Sequence, residues 1–317
     1  MPISIGLEEV QRARALISGR VVRTPLVEFP APELGGPIGL KLENLQHTGA
    51  FKVRGVLNKI ASLTGEERRR GVICATSGNH GLGVAHVAHR EGLRAVVVAP
   101  ELTPAAKLSR LRDTAEVEVF GATYQESYQH ALRRSREEEL TYLPGFDDPL
   151  IIAGQGTIGL EIIEDRPETA LVVAPIGGGG LAAGLLVALK SAAPRLRLIG
   201  VQAAGAPSAR LSLRAGRIVC LESIDTYANG IAVKRPGEIC FEIISTLIDD
   251  IVLVTDEQMR TAQKRLYRSA GIVAEGAGAA SLAAVLAGLA GPERPVVCLV
   301  SGGNASAGEV AALTAAD

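Results

Sequence analysis

The chain reads Thr48-Gly49-Ala50-Phe51-Lys52-Val53-Arg54-Gly55 between a predicted strand, Ile38–Leu42, and a helical pattern over residues 56–63. A lysine at such a strand-to-helix junction is rarely needed for packing. The flanking glycines let the backbone approach a flat group closely, and Phe51 adds an aromatic ring beside Lys52. This combination is typical of a lysine that holds an aldehyde cofactor covalently, although an ordinary turn has the same composition.

Three further loops each follow a predicted strand. They are Thr76-Ser77-Gly78-Asn79-His80-Gly81 after Val72–Ala75, Gly177-Gly178-Gly179-Gly180 after residues 171–176, and Ser301-Gly302-Gly303-Asn304 after Val296–Val300. In an open parallel sheet, ligands bind at the carboxyl ends of the strands. The four loops together therefore predict one binding site at such an edge.

Short apolar runs alternate with helical patterns along the chain, which indicates βα units and a parallel α/β fold. A helix is predicted over Leu7–Ile17 and another over residues 125–139. Besides the strands already named, we predict strands over Ala95–Ala99 and residues 117–120, 196–202 and 251–255.

Composition excludes several classes of protein. The 317 residues suffice for two modest lobes or one large domain, and the chain is 47% hydrophobic. No apolar run reaches the roughly 18 residues that span a bilayer, and the N-terminus carries no secretion signal, so we expect a cytoplasmic protein without a membrane partner. A net charge of -1 and only 3% aromatic residues argue against a nucleic-acid partner.

Cysteine and histidine spacing gives no sign of a metal site. The cysteines lie far apart, and we expect all of them to be buried free thiols: Cys74, Cys220, Cys240 and Cys298. His86 and His89 are three residues apart on a predicted helix, but no cysteine or acidic residue nearby completes a ligand set. We therefore predict no metal.

In their order and spacing, these loops resemble those of the fold-type II pyridoxal-phosphate enzymes. The similarity is greatest to the threonine/serine dehydratase branch, especially the catabolic threonine dehydratases, which are related to serine racemase. It extends from residue 10 to residue 304 and includes Thr24-Pro25-Leu26, residues 153–161, residues 230–237 and residues 275–279.

The resemblance implies two open, twisted, parallel-sheet domains with helices on both faces and the cofactor in the cleft between them. Residues 1–48 and 146–317 would form the larger domain, and residues 49–145 the smaller one. No Pro/Gly/Ser-rich linker marks these boundaries in the sequence.

The resemblance also implies roles for individual residues. Lys52 would bind pyridoxal 5'-phosphate covalently and later remove the substrate's Cα proton. The glycine loop would cradle the phosphate at the start of a helix. Asn79 would hydrogen-bond the ring hydroxyl, and Ser301 would face the ring nitrogen. The full set of expected cofactor contacts is Phe51, Lys52, Asn79, Gly177, Gly178, Gly179, Gly180, Leu181, Gly230, Glu275 and Ser301.

The substrate carboxylate would bind to Thr76, Ser77, Asn79 and His80. Ser77 has a second interpretation, because serine racemases and hydroxyaspartate dehydratases carry serine here while many threonine dehydratases carry alanine. Its hydroxyl would either bind the carboxylate or act as a catalytic acid/base opposite Lys52. Both interpretations stay open at this point.

The implied activity is β-elimination from a β-hydroxy-α-amino acid, L-threonine or L-serine, to a 2-oxo acid and ammonia. Homodimers and homotetramers are usual in the family. A racemase is one alternative, but Gln202 and Ser208 stand where racemases carry magnesium-binding acids, and Tyr128 stands where an arginine meets dicarboxylic ligands. Asn229 replaces the branch's usual aspartate, which leaves bulkier substrates such as hydroxyaspartate or phenylserine open. A non-catalytic cofactor-binding paralogue and a β-replacement enzyme are further alternatives.

Overall fold

A computed structural model of the chain describes residues 5–34, 36–76 and 78–314. Its strands are β1 (Leu26–Phe29), β2 (Ile38–Leu42), β3 (Val72–Ala75), β4 (Ala95–Ala99), β5 (Glu116–Val119), β6 (Thr141–Tyr142), β7 (Leu171–Pro175), β8 (Arg197–Ala203), β9 (Asp250–Val254) and β10 (Val296–Val300). Its α-helices are α1 (Leu7–Ile17), α2 (Lys52–Ala61), α3 (Gly65–Arg70), α4 (Asn79–Arg90), α5 (Ala105–Arg112), α6 (Tyr124–Glu137), α7 (Pro149–Asp165), α8 (Gly180–Ala192), α9 (Ser208–Ala215), α10 (Glu238–Leu247), α11 (Asp256–Ala270), α12 (Gly276–Leu286) and α13 (Ala307–Thr314).

The strands form two separate sheets. The larger has the order β1-β2-β10-β7-β8-β9, and the smaller has the order β5-β4-β3-β6. Pairing is parallel throughout except that β1 runs antiparallel to β2, with Leu26 opposite Lys41. The predicted α/β fold with two mainly parallel sheets is confirmed.

Helices cover both faces of each sheet. In β7, Leu171 and Val173 pack in one core with side chains of α11 and α12, whereas Val172 and Ala174 pack in another with α7 and α8. The smaller sheet divides the side chains of β3 and β4 in the same way between two cores. Strands buried on both faces read as continuous apolar runs, which is why they were recognisable in the sequence.

The sequence predictions were incomplete in identifiable places. The edge strand β1, the two-residue β6 and the charged helix α3 were not predicted, because they are short or lack an apolar period. The predicted strand over residues 117–120 is β5, one residue earlier. The expectation that every cysteine is buried is wrong for Cys220, which is exposed; Cys74, Cys240 and Cys298 are buried free thiols.

A cluster of buried charges anchors α2 to the larger sheet. The Arg54 guanidinium, fully buried, donates to both Glu43 oxygens at 2.8 and 2.9 Å and to both Glu161 oxygens at 2.6 and 3.0 Å. Lys41, also fully buried, contacts Glu161 at 2.8 Å and Asp165 at 3.2 Å. Burial alone would lower the pKa of Arg54, but the two glutamates raise it well above its ordinary value. The guanidinium therefore stays charged.

None of the helices in the described ranges is both long enough and apolar enough to cross a lipid bilayer.

The buried cluster predicts a large effect of Arg54→Met on stability. Removing the guanidinium leaves Glu43 and Glu161 buried without their main cation, and breaking a buried pair in this way costs about 3–5 kcal/mol. Urea denaturation should therefore show a free energy of unfolding lowered by about that amount. Arg94→Met, which removes a surface pair with Glu116 and Glu138, should change stability little. Equal effects of the two substitutions would contradict the prediction.

Candidate active site

The predicted loops meet where the carboxyl ends of the two sheets face each other. Asn79, at the start of α4 beside the smaller sheet, donates from Nδ2 to Glu275 Oε1 at 2.6 Å. Glu275 precedes α12 in the larger half. Ser301 follows β10, and its carbonyl accepts from the Phe51 N–H at 3.2 Å. The two halves therefore present their polar loops to one another.

Lys52 is the first residue of α2, and its amine lies inside this cleft. Its Nζ donates to the Gly145 carbonyl at 2.6 Å and lies 5.1 Å from the centroid of the Phe51 ring. Burial lowers the pKa of Lys52 to about 8, because the charged ammonium loses its hydration. An appreciable fraction of the amine is therefore neutral and nucleophilic near neutral pH.

The four glycines join β7 to α8 in a turn that other residues would not fit. Gly179 has a φ of +106°, in the left-handed region that favours glycine, and a Cβ on Gly178 would lie 2.4 Å from the Phe146 ring. Among the described residues, none accepts a hydrogen bond from the backbone N–H groups of residues 177–181. These donors, at the N-terminus of a 13-residue helix, are suited to an anion.

Glu275 is a carboxyl group with a weakened tendency to ionise. Burial raises the pKa of Glu275 above its ordinary value, although the hydrogen bond from Asn79 acts in the opposite direction. A Cβ built on Gly302 would lie 2.5 Å from Glu275 Oε1 and 3.2 Å from Asn79 Nδ2. The glycine after Ser301 therefore lets the last loop pass close to this pair.

Ser301 is buried, and its Oγ lies 3.4 Å from the Ala277 carbonyl. Gly230 lies beside the glycine loop, since its carbonyl would be 3.0 Å from a Cβ on Gly177. Leu181 is buried in the first turn of α8. These three predicted cofactor contacts thus border the same region as Lys52 and Asn79.

The expected substrate-binding residues are only partly described. Thr76 is buried and its Oγ1 accepts from the Gly78 N–H at 3.1 Å. Ser77 lies outside the described residues, so both interpretations of its hydroxyl stay predictions.

His80 is buried and neutral. Its Nε2 lies 2.9 Å from the Leu143 carbonyl, which can only accept, so Nε2 carries the proton; Nδ1 has no described partner. Burial and, to a lesser extent, the charge of Lys52 lower the pKa of His80 to about 4. The ring is therefore uncharged at neutral pH and cannot serve there as a cation for a carboxylate.

The segment after β6 was not among the predicted site residues, yet it forms one wall. Gly145 holds the Lys52 amine, and Phe146 packs on the glycine loop. Asp147 accepts from the N–H groups of Glu238 and Cys240 at 2.8 and 3.1 Å, and Asp148 caps α7. The Asp-Pro pair was a readable helix-start signal, but the contacts of Gly145 depend on tertiary packing.

No cluster of three or more potential metal ligands occurs in the described parts of the chain. The rings of His86 and His47 stack at 5.5 Å. Gln202 Oε1 accepts from the Arg210 N–H at 2.9 Å, and Ser208 Oγ donates to the Val233 carbonyl at 2.8 Å. Both side chains are thus used in buried hydrogen bonds within the chain.

The lowered pKa of Lys52 predicts an unusual pH dependence of its reactivity. Limited labelling with an amine-selective reagent should rise at Lys52 with a midpoint near pH 8, because the neutral amine reacts and predominates above the pKa. An ordinary exposed lysine should become reactive only near pH 10.4. Mass spectrometry of labelled peptides between pH 6 and 11 measures both. A midpoint near 10 at Lys52 would contradict the assigned burial effect.

Comparison with known proteins places this site in a family. Residues 17–302 match the family described as "Pyridoxal-phosphate dependent enzyme". An L-threonine ammonia-lyase of Thermotoga maritima is 45% identical over 95% of this chain and 76% of its own length. The catabolic L-threonine dehydratase TdcB of Escherichia coli K12 is 38% identical over 98% of this chain and 97% of its own. The structure of maize serine racemase superposes with a TM-score of 0.91 at 29% identity, covering 97% and 96% of the two chains. The chain belongs to the family of pyridoxal-phosphate dependent enzymes.

Proposed function

We propose that the protein is a pyridoxal-phosphate-dependent ammonia-lyase that converts L-threonine or L-serine to a 2-oxo acid and ammonia. The observation that carries the proposal is the buried Lys52 amine, with its pKa lowered to about 8, opposite an amide and a carboxyl group in the cleft between the sheets. The similarity to two threonine-deaminating enzymes over nearly the whole chain supports the same substrate class.

The described residues fit the cofactor chemically. The N–H groups of residues 177–181 lack partners and converge at a helix N-terminus, as a phosphate requires. Lys52 offers an amine for the aldehyde, and Ser301 offers a hydroxyl rather than a carboxylate to the ring nitrogen. When bound, pyridoxal phosphate supplies an aldehyde that joins amines and a ring that withdraws electrons from Cα.

Lys52 has the second task of moving a proton. Once the substrate amine has displaced it, its Nζ is a free base, and a pKa of about 8 lets it accept a proton near neutral pH. Lys52 would take the Cα proton of the substrate, after which the β-hydroxyl leaves as water. Hydrolysis of the released enamine then returns the water, so the net products are a 2-oxo acid and ammonia.

The other residues orient the substrate and the ring. Thr76, Asn79 and the backbone at the start of α4 would bind the substrate carboxylate with N–H and hydroxyl donors. The neutral His80 would contribute shape and hold the wall at Leu143 rather than supply charge. Ser77 would bind the carboxylate in the lyase and would serve as the second acid/base in a racemase.

We also propose that residues 49–145 form the smaller domain, and that the remaining residues form the larger one. Support comes from strand membership, because all four strands of the smaller sheet lie between Val72 and Tyr142. A cytoplasmic location and assembly as a homodimer or homotetramer stay predictions, the latter testable by sedimentation velocity.

The lyase proposal predicts release of a 2-oxo acid from L-threonine or L-serine by the PLP-loaded protein. Lys52→Ala should lower turnover by more than about 1,000-fold, because it removes both the attachment point and the base. Lys59→Ala, on the same helix and paired with Asp148, should keep near-normal turnover. Full activity of Lys52→Ala would refute the mechanism.

The same assay distinguishes the alternatives. L-threo-3-hydroxyaspartate and L-threo-phenylserine are included as substrates, and remaining amino acid is scored for the D-enantiomer by chiral chromatography. Release from the bulkier substrates alone would assign the Asn229 loop a change in specificity. Growth of D-amino acid without 2-oxo acid would replace the lyase by a racemase, and a loaded but inert protein would indicate a non-catalytic paralogue.

A further inference from the structure

A chain of side-chain hydrogen bonds runs from the protein surface to the candidate active site. Arg110, on α5, donates from Nη1 to Asn304 Oδ1 at 3.0 Å. Asn304 Nδ2 donates to the Thr48 carbonyl at 2.8 Å and to Asn79 Oδ1 at 2.9 Å. Asn79 Nδ2 in turn donates to Glu275 Oε1 at 2.6 Å. The chain thus ends on the two polar groups that face Lys52 across the cleft.

The direction of every bond in this chain is fixed by its ends. A guanidinium only donates and a peptide carbonyl only accepts. Arg110 and the Thr48 carbonyl therefore leave the Asn304 amide one orientation, with Oδ1 toward the arginine and Nδ2 toward the site. Asn79 must then accept with Oδ1, and its Nδ2 must point toward Glu275. A flipped Asn79 would place two NH2 groups against each other.

Packing leaves the Asn304 amide little room to turn. Gly49 has a φ of +74°, and a Cβ at this position would lie 2.8 Å from Asn304 Oδ1 and 3.1 Å from Nδ2. The Gly303 N–H also donates to the Gly49 carbonyl at 2.8 Å. The glycine before Ala50 therefore provides the space that Asn304 occupies, and its backbone holds the loop in place.

We propose that Asn304 is a positioning residue that fixes the orientation of the Asn79 amide, with Arg110 as its support. The inference rests on the proposed function, in which Asn79 donates to an oxygen of the bound cofactor ring. A donor aimed at that oxygen stabilises its ionised form, whereas a flipped amide would present an oxygen to it. Asn304 acts only through Asn79 and touches neither cofactor nor substrate.

The test uses Asn304→Asp in the full-length protein. The carboxylate is nearly the same size as the amide but cannot donate to the Thr48 carbonyl or to Asn79 Oδ1. We expect PLP affinity, measured by titrating the apoprotein, to fall by about tenfold. We also expect the pH midpoint of the bound cofactor's absorption change to shift by about one unit toward that of Asn79→Ala.

A double-mutant cycle separates positioning from general stability. In an Asn79→Ala background, Asn304→Asp should change the absorption midpoint no further, because the group through which it acts is missing. Arg110→Gln should shift the midpoint in the same direction but by less, and the exposed Arg112→Gln on the same helix should leave it unchanged. Thermal melting monitors folding, and Gly49→Ala, which crowds Asn304, is the second variant if Asn304→Asp does not fold.

Two results would overturn the inference: a wild-type absorption midpoint in Asn304→Asp, or an undiminished shift in the Asn79→Ala background. Failure of the proposed function would look different, since wild-type protein would then fail to attach PLP at Lys52 or to release a 2-oxo acid. An enzyme that passes those tests while Asn304→Asp behaves as wild type refutes the positioning role alone.

Discussion

The buried Arg54 guanidinium is the contact on which the geometry of the site depends. It lies two residues after Lys52 and binds Glu43, just after β2, and Glu161, on α7. Because its five donors point in fixed directions, the guanidinium specifies the rotation of α2 as well as its position. The Lys52 amine, at the first residue of that helix, is thereby aimed at Gly145. A hydrophobic contact of equal strength would hold α2 without fixing this direction.

Burial then determines the charge of the groups inside the cleft. It lowers the pKa of Lys52 to about 8 and that of His80 to about 4, and it raises that of Glu275. All three shifts favour the uncharged form, as expected where water is excluded. An incoming phosphate and carboxylate therefore meet backbone N–H groups and hydroxyls rather than fixed cations. Binding by such dipoles leaves Lys52 as the group whose protonation changes near neutral pH.

The sequence was sufficient for the fold because the central strands are short apolar runs buried on both faces. β2, β3, β4 and β10 were predicted to the residue. The polar loops that follow the strands could likewise be assigned to one edge, since parallel strands align their carboxyl ends. β1 was missed because an antiparallel edge strand of four residues has no distinctive period.

The parts of the site that were missed depend on contacts between distant residues. Arg54 stood in the opening stretch, but nothing local indicates that Glu43 and Glu161 surround it. Gly145 and Phe146 contact Lys52 and the glycine loop through tertiary packing alone. Asn304 was visible as part of a motif, while its partners Arg110 and Asn79 lie about 200 residues earlier in the chain. Identity and spacing predict which loops meet, whereas hydrogen-bond direction requires coordinates.

Elimination and racemisation begin with the same step at Lys52, so the fold alone does not separate them. Racemisation needs a second proton donor on the opposite face of Cα, and elimination needs only that the β-hydroxyl leave before a proton returns. His80 is an unsuitable donor at neutral pH, since its pKa is lowered to about 4 and its Nε2 proton is engaged with Leu143. Thr76 Oγ1 is partly engaged by the Gly78 N–H. The balance between the two reactions therefore rests on the hydroxyl of Ser77, and Ser77→Ala should abolish any D-amino acid formation while leaving 2-oxo acid release measurable.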